Sequence, residues 1–298
     1  MKWRVGDAEV CTIVETETAL SPEFILRVVV PDAAALQAHC PAWLGPYVDA
    51  SRRPRMVVQA VGVVSCGRRI LVDTCIGNHK TRRNPAFSQL DTPFLARLEE
   101  AGFGPRDVDF VVCTHLHFDH VGWNTVLEDG EWRPTFPRAR YLLVEPEWAY
   151  WTRPEARHDD VTNDSLWPLV RGGLVDWVSS DHAITPEVTL VATPGHTPGH
   201  VAVRVASQGE ALWVTGDSVH HPSQLAHPEW SSPSDCDRAM AVRTRRWLLD
   251  AVVADRALLL GTHFAEPSAG HLLAEGNGFR LSAPEGHHAE LPPQASQE

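Results

Sequence analysis

Near the start of the chain the run Glu9-Val10-Cys11-Thr12-Ile13-Val14 partly alternates polar and apolar side chains, a period of two that predicts β-strand. A segment rich in Pro and Ala, residues 31–54, then reads as a loop with a short helix. Strands follow at 56–65 and 69–72, joined by a turn at Cys66-Gly67-Arg68, the second ending at Asp73-Thr74. The period next lengthens. Phe94, Leu95 and Leu98 form one apolar stripe on a helix over 92–101, with Asp91 as its cap, Pro93 in its first turn and Gly102 beyond its end. A strand at 109–113 runs directly into His115. Further strands are expected at 139–144, 174–178, 188–191, 201–205 and 211–215, and a long helix over 235–253 precedes a last core strand at 257–260. Residues 151–173 are polar and Pro-broken, which predicts a surface excursion with one short helix. Beyond Ser282 the composition falls to Pro, Glu, Gln, Ala and His, so 283–298 is expected to be a disordered tail. Strands early and late, with helices between and after, predict an α/β (α+β) fold. Two sheets would be sandwiched by helices in one domain over 1–282.

The chain has 298 residues, 43% hydrophobic and 21% charged, enough for a substantial core. Its apolar runs are too short to span a membrane, and residues 1–10 lack the apolar stretch of a secretory signal. A formal charge of −12 argues against nucleic acid as a partner. The clusters Arg52, Arg53, Arg55 and Arg243, Arg245, Arg246 read as a loop and a solvated helix face. The six cysteines make no C-x-x-C pair, and Cys11, Cys66 and Cys113 lie in or beside strand-like runs. Free buried thiols and a cytoplasmic location are the expectation.

The chemistry concentrates in Thr114-His115-Leu116-His117-Phe118-Asp119-His120. Residues two apart in extended chain point the same way, so His115 and His117 can share one cation. A turn after them aims Asp119 and His120 at a neighbouring point. Packing so many polar groups at a strand end without a metal leaves imidazoles short of partners, and this donor mix suits a borderline ion such as zinc. His196 in Thr193-Pro194-Gly195-His196-Thr197-Pro198-Gly199-His200, Asp217 in Thr215-Gly216-Asp217 and His263 in Gly261-Thr262-His263 each sit just past a predicted strand. Such loops can converge on one site.

With these motifs in this order, the chain resembles the metallo-β-lactamase superfamily from about residue 8 to residue 282. The resemblance implies an αββα sandwich and two divalent metal ions, zinc above all. One ion would be held by His115, His117 and His196, the other by Asp119, His120 and His263, with Asp217 bridging. Asp73, in Val72-Asp73-Thr74, would orient a ligand without binding metal, and His200 matches no ligand position and reads as structural. The implied reaction is hydrolysis by a hydroxide held between the ions, with Asp119 relaying the proton.

Departures within the superfamily narrow the substrate. His117 stands where redox di-iron relatives carry Glu, and Asp217 supplies the carboxylate that true β-lactamases lack. The remaining neighbours are acyl-homoserine lactonases, esterases and organophosphate hydrolases. The lactonases place a Tyr three residues after the bridging Asp; here His220 stands there, and its imidazole can donate a hydrogen bond to a substrate carbonyl. The expected substrate is a small ester or lactone, with phosphotriesters or thioesters as alternatives. Trp123, Phe118, Phe264 and Trp151 are candidate aromatic walls, Trp123 being read as core; 31–54 is a candidate lid. The resemblance also implies a possible homodimer. A mononuclear iron persulfide dioxygenase is the rival enzyme, and a metal-stabilised scaffold is the rival outside enzymes. The set is too open for a structural zinc, which takes a closed set of four ligands.

Overall fold

The computed structural model describes residues 1–18, 41–153 and 159–282. The expected tail 283–298, Cys40 and residues 31–40 of the candidate lid lie outside the described residues.

Two seven-stranded sheets make up the body. In the first, hydrogen-bonded neighbours follow chain order: β1 (Lys2–Val5), β2 (Ala8–Thr18), β3 (Met56–Ser65), β4 (Arg68–Val72), β5 (Phe110–Val112), β8 (Arg140–Val144) and β9 (Val175–Val178). A separate hairpin, β6 (Thr125–Glu128) and β7 (Glu131–Pro134), sits between β5 and β8 in the chain. The second sheet likewise runs β10 (Ala183–Thr185), β11 (Val188–Ala192), β12 (Val201–Ser207), β13 (Glu210–Val214), β14 (Leu258–Leu260), β15 (Ala269–Glu275) and β16 (Gly278–Ser282).

The apolar pattern dictates the layering. Val63, Ile70, Val72, Val112 and Leu142 of the first sheet share one cluster with Leu190, Val203, Leu212, Val214 and Leu260 of the second, forming the inter-sheet core. On the outer face of the first sheet, Leu71, Val111 and Tyr141 pack against Phe94 and Leu98 of the helix Phe94–Glu100. On the outer face of the second, Trp213 and Leu259 pack against Leu248, Leu249 and Val252 of the helix Arg238–Ala254. The result is four layers, αββα. β3 is buried along nearly its whole length, because a central strand covered on both faces has no polar side to show. Among the described residues no helix is long and apolar enough to cross a membrane.

Five local expectations change. Asp91 does not cap its helix, whose N-cap is Pro93 without a side-chain bond. The long helix starts later than 235, with Asp237 accepting from the Met240 N–H. The described part of 151–173 is no surface excursion: Trp151, Val161, Leu166 and Leu169 are buried in the core, and the buried Asp164 pairs with Lys80 and Arg82. Arg245 is buried rather than solvated, donating to the carbonyls of Ser218 and Pro228. Cys11, Cys75 and Cys113 are buried and free, whereas Cys66 is exposed at its turn.

Every parallel pairing aligns strands whose C-terminal ends finish at one edge. There β4 delivers Asp73, β5 delivers residues 114–120, β13 delivers Asp217 and β14 delivers His263. The 114–120 loop is held close to residues 75–76, where a Cβ on Gly122 would stand 1.7 Å from the Ile76 carbonyl oxygen; only glycine fits.

Candidate metal centre

Five imidazoles and two carboxylates from four loops converge at this edge. His115, His117, His196 and Asp217 bring ligand atoms within 4.8 Å of one another, and so do Asp119, His120 and His263. Asp217 joins the two groups. Its Oδ1 lies 3.1 Å from His263 Nε2 and 3.2 Å from His120 Nε2. Its Oδ2 lies 3.5 Å from His196 Nε2 and 3.9 Å from His115 Nε2. Asp119 stands 3.8 Å from His263 Nε2 and 3.9 Å from His120 Nε2, and with 21% side-chain exposure it is the carboxylate of the pair that solvent reaches.

The surroundings set which ring nitrogen faces inward. His263 Nδ1 lies 2.8 Å from the Val57 carbonyl, His120 Nδ1 lies 2.8 Å from Asp73 and His196 Nδ1 lies 2.9 Å from Asp235. Each of those oxygens only accepts, so each Nδ1 carries the proton and leaves a lone pair on Nε2. His115 follows suit: Thr114 Oγ1 donates to Asp73 at 2.9 Å and so accepts from His115 Nδ1 at 3.1 Å. The inward nitrogens then crowd together, with His117 Nδ1 2.8 Å from His115 Nε2 and 2.9 Å from His196 Nε2. One nitrogen holds at most one proton, so hydrogen bonds cannot satisfy all three. Buried His120 Nε2 and Asp217 Oδ1 have no hydrogen-bond partner among the described residues. Lone pairs aimed at a common point beside buried carboxylates fit divalent metal.

Electrostatics agree. Burial pushes His115, His117 and His196 below the usual histidine range. For His120 and His263 burial acts the same way, but Asp217 and its neighbouring carboxylates outweigh it and raise both. The carboxylates hold positive charge here, as protons or as cations.

The sequence model of the metallo-beta-lactamase superfamily matches residues 54–263, the stretch that builds both donor groups. The chain belongs to that superfamily. An N-acyl homoserine lactonase of Bacillus cereus is 22% identical over 58% of this chain and 62% of its own length. The N-acyl homoserine lactonase AttM of Agrobacterium fabrum is 31% identical over 44% of this chain and 48% of its own. These matches therefore span less than two thirds of the relatives' lengths. Among solved structures, the dizinc quorum-quenching lactonase AidC, in complex with a product, superposes with a TM-score of 0.76 at 21% identity, covering 95% of this chain and 97% of AidC. The hydrolase AbOPH superposes with a TM-score of 0.76 at 23% identity, covering 95% and 96%. At these identities the two structures establish the metallo-beta-lactamase fold.

Asp73 sits beneath the centre, its carboxylate also accepting from the Thr114 N–H at 2.8 Å. His200 lies behind Asp217. Its Nε2 accepts from the Asp217 N–H at 2.9 Å while Nδ1 meets Thr193 Oγ1 at 2.7 Å, and burial lowers its pKa to about 3. His220 enters the centre: its Nε2 is 3.3 Å from Asp217 Oδ2, its ring is edge-on to His196, and neither buried nitrogen has a hydrogen-bond partner among the described residues. His221 points away, bonded to Ser223 and to the Tyr47 carbonyl. Tyr47 belongs to the short helix Ala42–Tyr47, so part of the candidate lid is anchored behind the site.

Trp123 is core, stacked on Phe94 at 5.8 Å, and Phe264 is buried against Tyr47. Phe118 is partly buried beside Phe87, and Trp151 lies edge-on to His117 at 5.2 Å. Two residues escaped sequence reasoning. Asp235 stands at the start of the expected helix 235–253 and Glu147 falls between the expected strand 139–144 and the stretch 151–173; neither carries a signal that it will meet a loop far away in the chain.

His221 gives a pH dependence. Burial lowers its pKa to about 4 from 6.5, so between those values the unfolded chain takes up a proton that the folded protein refuses. Its contribution to stability is complete above pH 6.5 and is lost as pH falls towards 4, a span worth about 3 kcal/mol. Thermal melts from pH 7 to pH 4 should fall less steeply in His221→Gln than in the wild type; parallel slopes would refute the assignment.

Proposed function

We propose that the chain is a dinuclear-metal hydrolase of a small lactone or ester, with zinc as the metal. His115, His117 and His196 would hold one ion and Asp119, His120 and His263 the other, with Asp217 shared between the two groups. The observation that carries this reading is the placement of Asp217, whose two oxygens face the two imidazole groups separately. Lactonase activity among the sequence relatives supports the substrate class. Two bound cations would supply an activated water near neutral pH and polarise the attacked carbonyl.

The chain's own groups do the rest. Asp119, the more exposed carboxylate, accepts the proton released as water adds to the carbonyl. His220, with its unpartnered nitrogens, donates a hydrogen bond to the substrate carbonyl or to the departing oxygen. Trp151, buried edge-on to His117, backs that imidazole with an apolar ring.

Metal analysis together with a panel of lactones, aryl esters, thioesters and phosphotriesters tests the reading. About two zinc-like ions per chain, and lactone or ester turnover lost to chelators and restored by zinc, are expected. One iron per chain with persulfide oxidation, or two ions with no hydrolysis of any panel member, would overturn it.

A further inference from the structure

The loops carrying the first donor group are far apart in sequence, and one buried side chain outside both of them ties them together. Glu147 lies on the helix Glu145–Trp151 and is 2% exposed. Its Oε1 accepts from the Leu116 N–H at 3.2 Å, between His115 and His117. Its Oε2 accepts from the Gly199 N–H at 2.9 Å, three residues beyond His196. Oε1 also accepts from Trp151 Nε1 at 2.7 Å, which fixes the indole that lies edge-on to His117. The approach is close: a Cβ on Gly199 would stand 2.3 Å from the Glu147 backbone nitrogen. His117 depends on this support, because it is the imidazole of its group whose second nitrogen meets no protein oxygen among the described residues. The second group is held by other means, His120 by Asp73 and His263 by the Val57 carbonyl.

We propose that Glu147 is a positioning residue for the first donor group alone, setting the spacing of His115 and His117 against His196. This rests on the reading that those imidazoles hold a metal. A carboxylate suits the task because the Leu116, Gly199 and Trp151 N–H groups all donate to it; glutamine at that place turns an NH2 towards at least one of them.

The test is stepwise cobalt(II) titration against a competing chelator, read by visible spectra, for wild type, Glu147→Gln and Trp151→Phe, with melting of each metal-free protein. In Glu147→Gln one ion should bind about 10–100-fold more weakly with an altered spectrum, while the other is unchanged. Trp151→Phe, which keeps an aromatic ring but loses the N–H donor, should weaken the same ion less. If Glu147→Gln does not fold, the Trp151→Phe asymmetry decides alone. Equal weakening of both ions marks a merely structural role and overturns the proposal, as does unchanged binding of both. A wild type that takes up no cobalt overturns the metal reading itself.

Discussion

Replacing Asp217 with Asn should abolish stable loading of both metal sites and lower kcat/KM for lactone or ester by at least about a thousand-fold, or ~4 kcal/mol. The reason lies in how the carboxylate is shared. Oδ1 serves His120 and His263, and Oδ2 serves His115, His196 and His220. An amide keeps the shape but removes the charge and turns an NH2 towards one group. The imidazoles around it then lose the one negative charge common to both. The fold should survive, because the Asp217 backbone N–H still donates to His200. Metal content by plasma emission, turnover, and melting of the metal-free variant check this. Retention of two ions would refute the bridging role.

Asp119→Asn should cut kcat by about 10²–10⁴-fold with little change in KM. Asp119 is peripheral to the buried lattice of hydrogen bonds and reaches His120 and His263 only at 3.8 to 3.9 Å. On the proposed roles, removing its charge would cost proton transfer and one donor to the second ion, while His115, His117 and His196 would keep their spacing. Assays at saturating zinc separate the proton-transfer loss from weakened metal binding. Turnover within a few-fold of wild type under those conditions would contradict its role.

Much of the architecture is legible in local patterns. The apolar runs at 56–65, 201–205 and 211–215 read as strands, and the structure has β3, β12 and β13 there. The hairpin β15–β16 was not legible, because His271-Leu272-Leu273-Ala274-Glu275 alternates poorly and gains its order from pairing with β14. The stretch 151–173 looks polar because charged residues and prolines interrupt its apolar positions. In three dimensions Asp164 finds Lys80 and Arg82, and those partnered charges let Leu166 and Leu169 enter the core.

For the centre, the chain alone determined which residue types stand just past which strands: His115 to His120 after β5, Asp217 after β13, His263 after β14. Local chemistry suffices for that, since a period of two followed by a turn fixes where a side chain leaves the sheet. Only the tertiary structure decided that Asp217 faces both groups, that His220 turns in while His221 turns out, and that Asp235 and Glu147 brace loops remote from them. Those outcomes depend on packing two sheets face to face, and no short-range pattern encodes the distance between residues that meet only when the layers close.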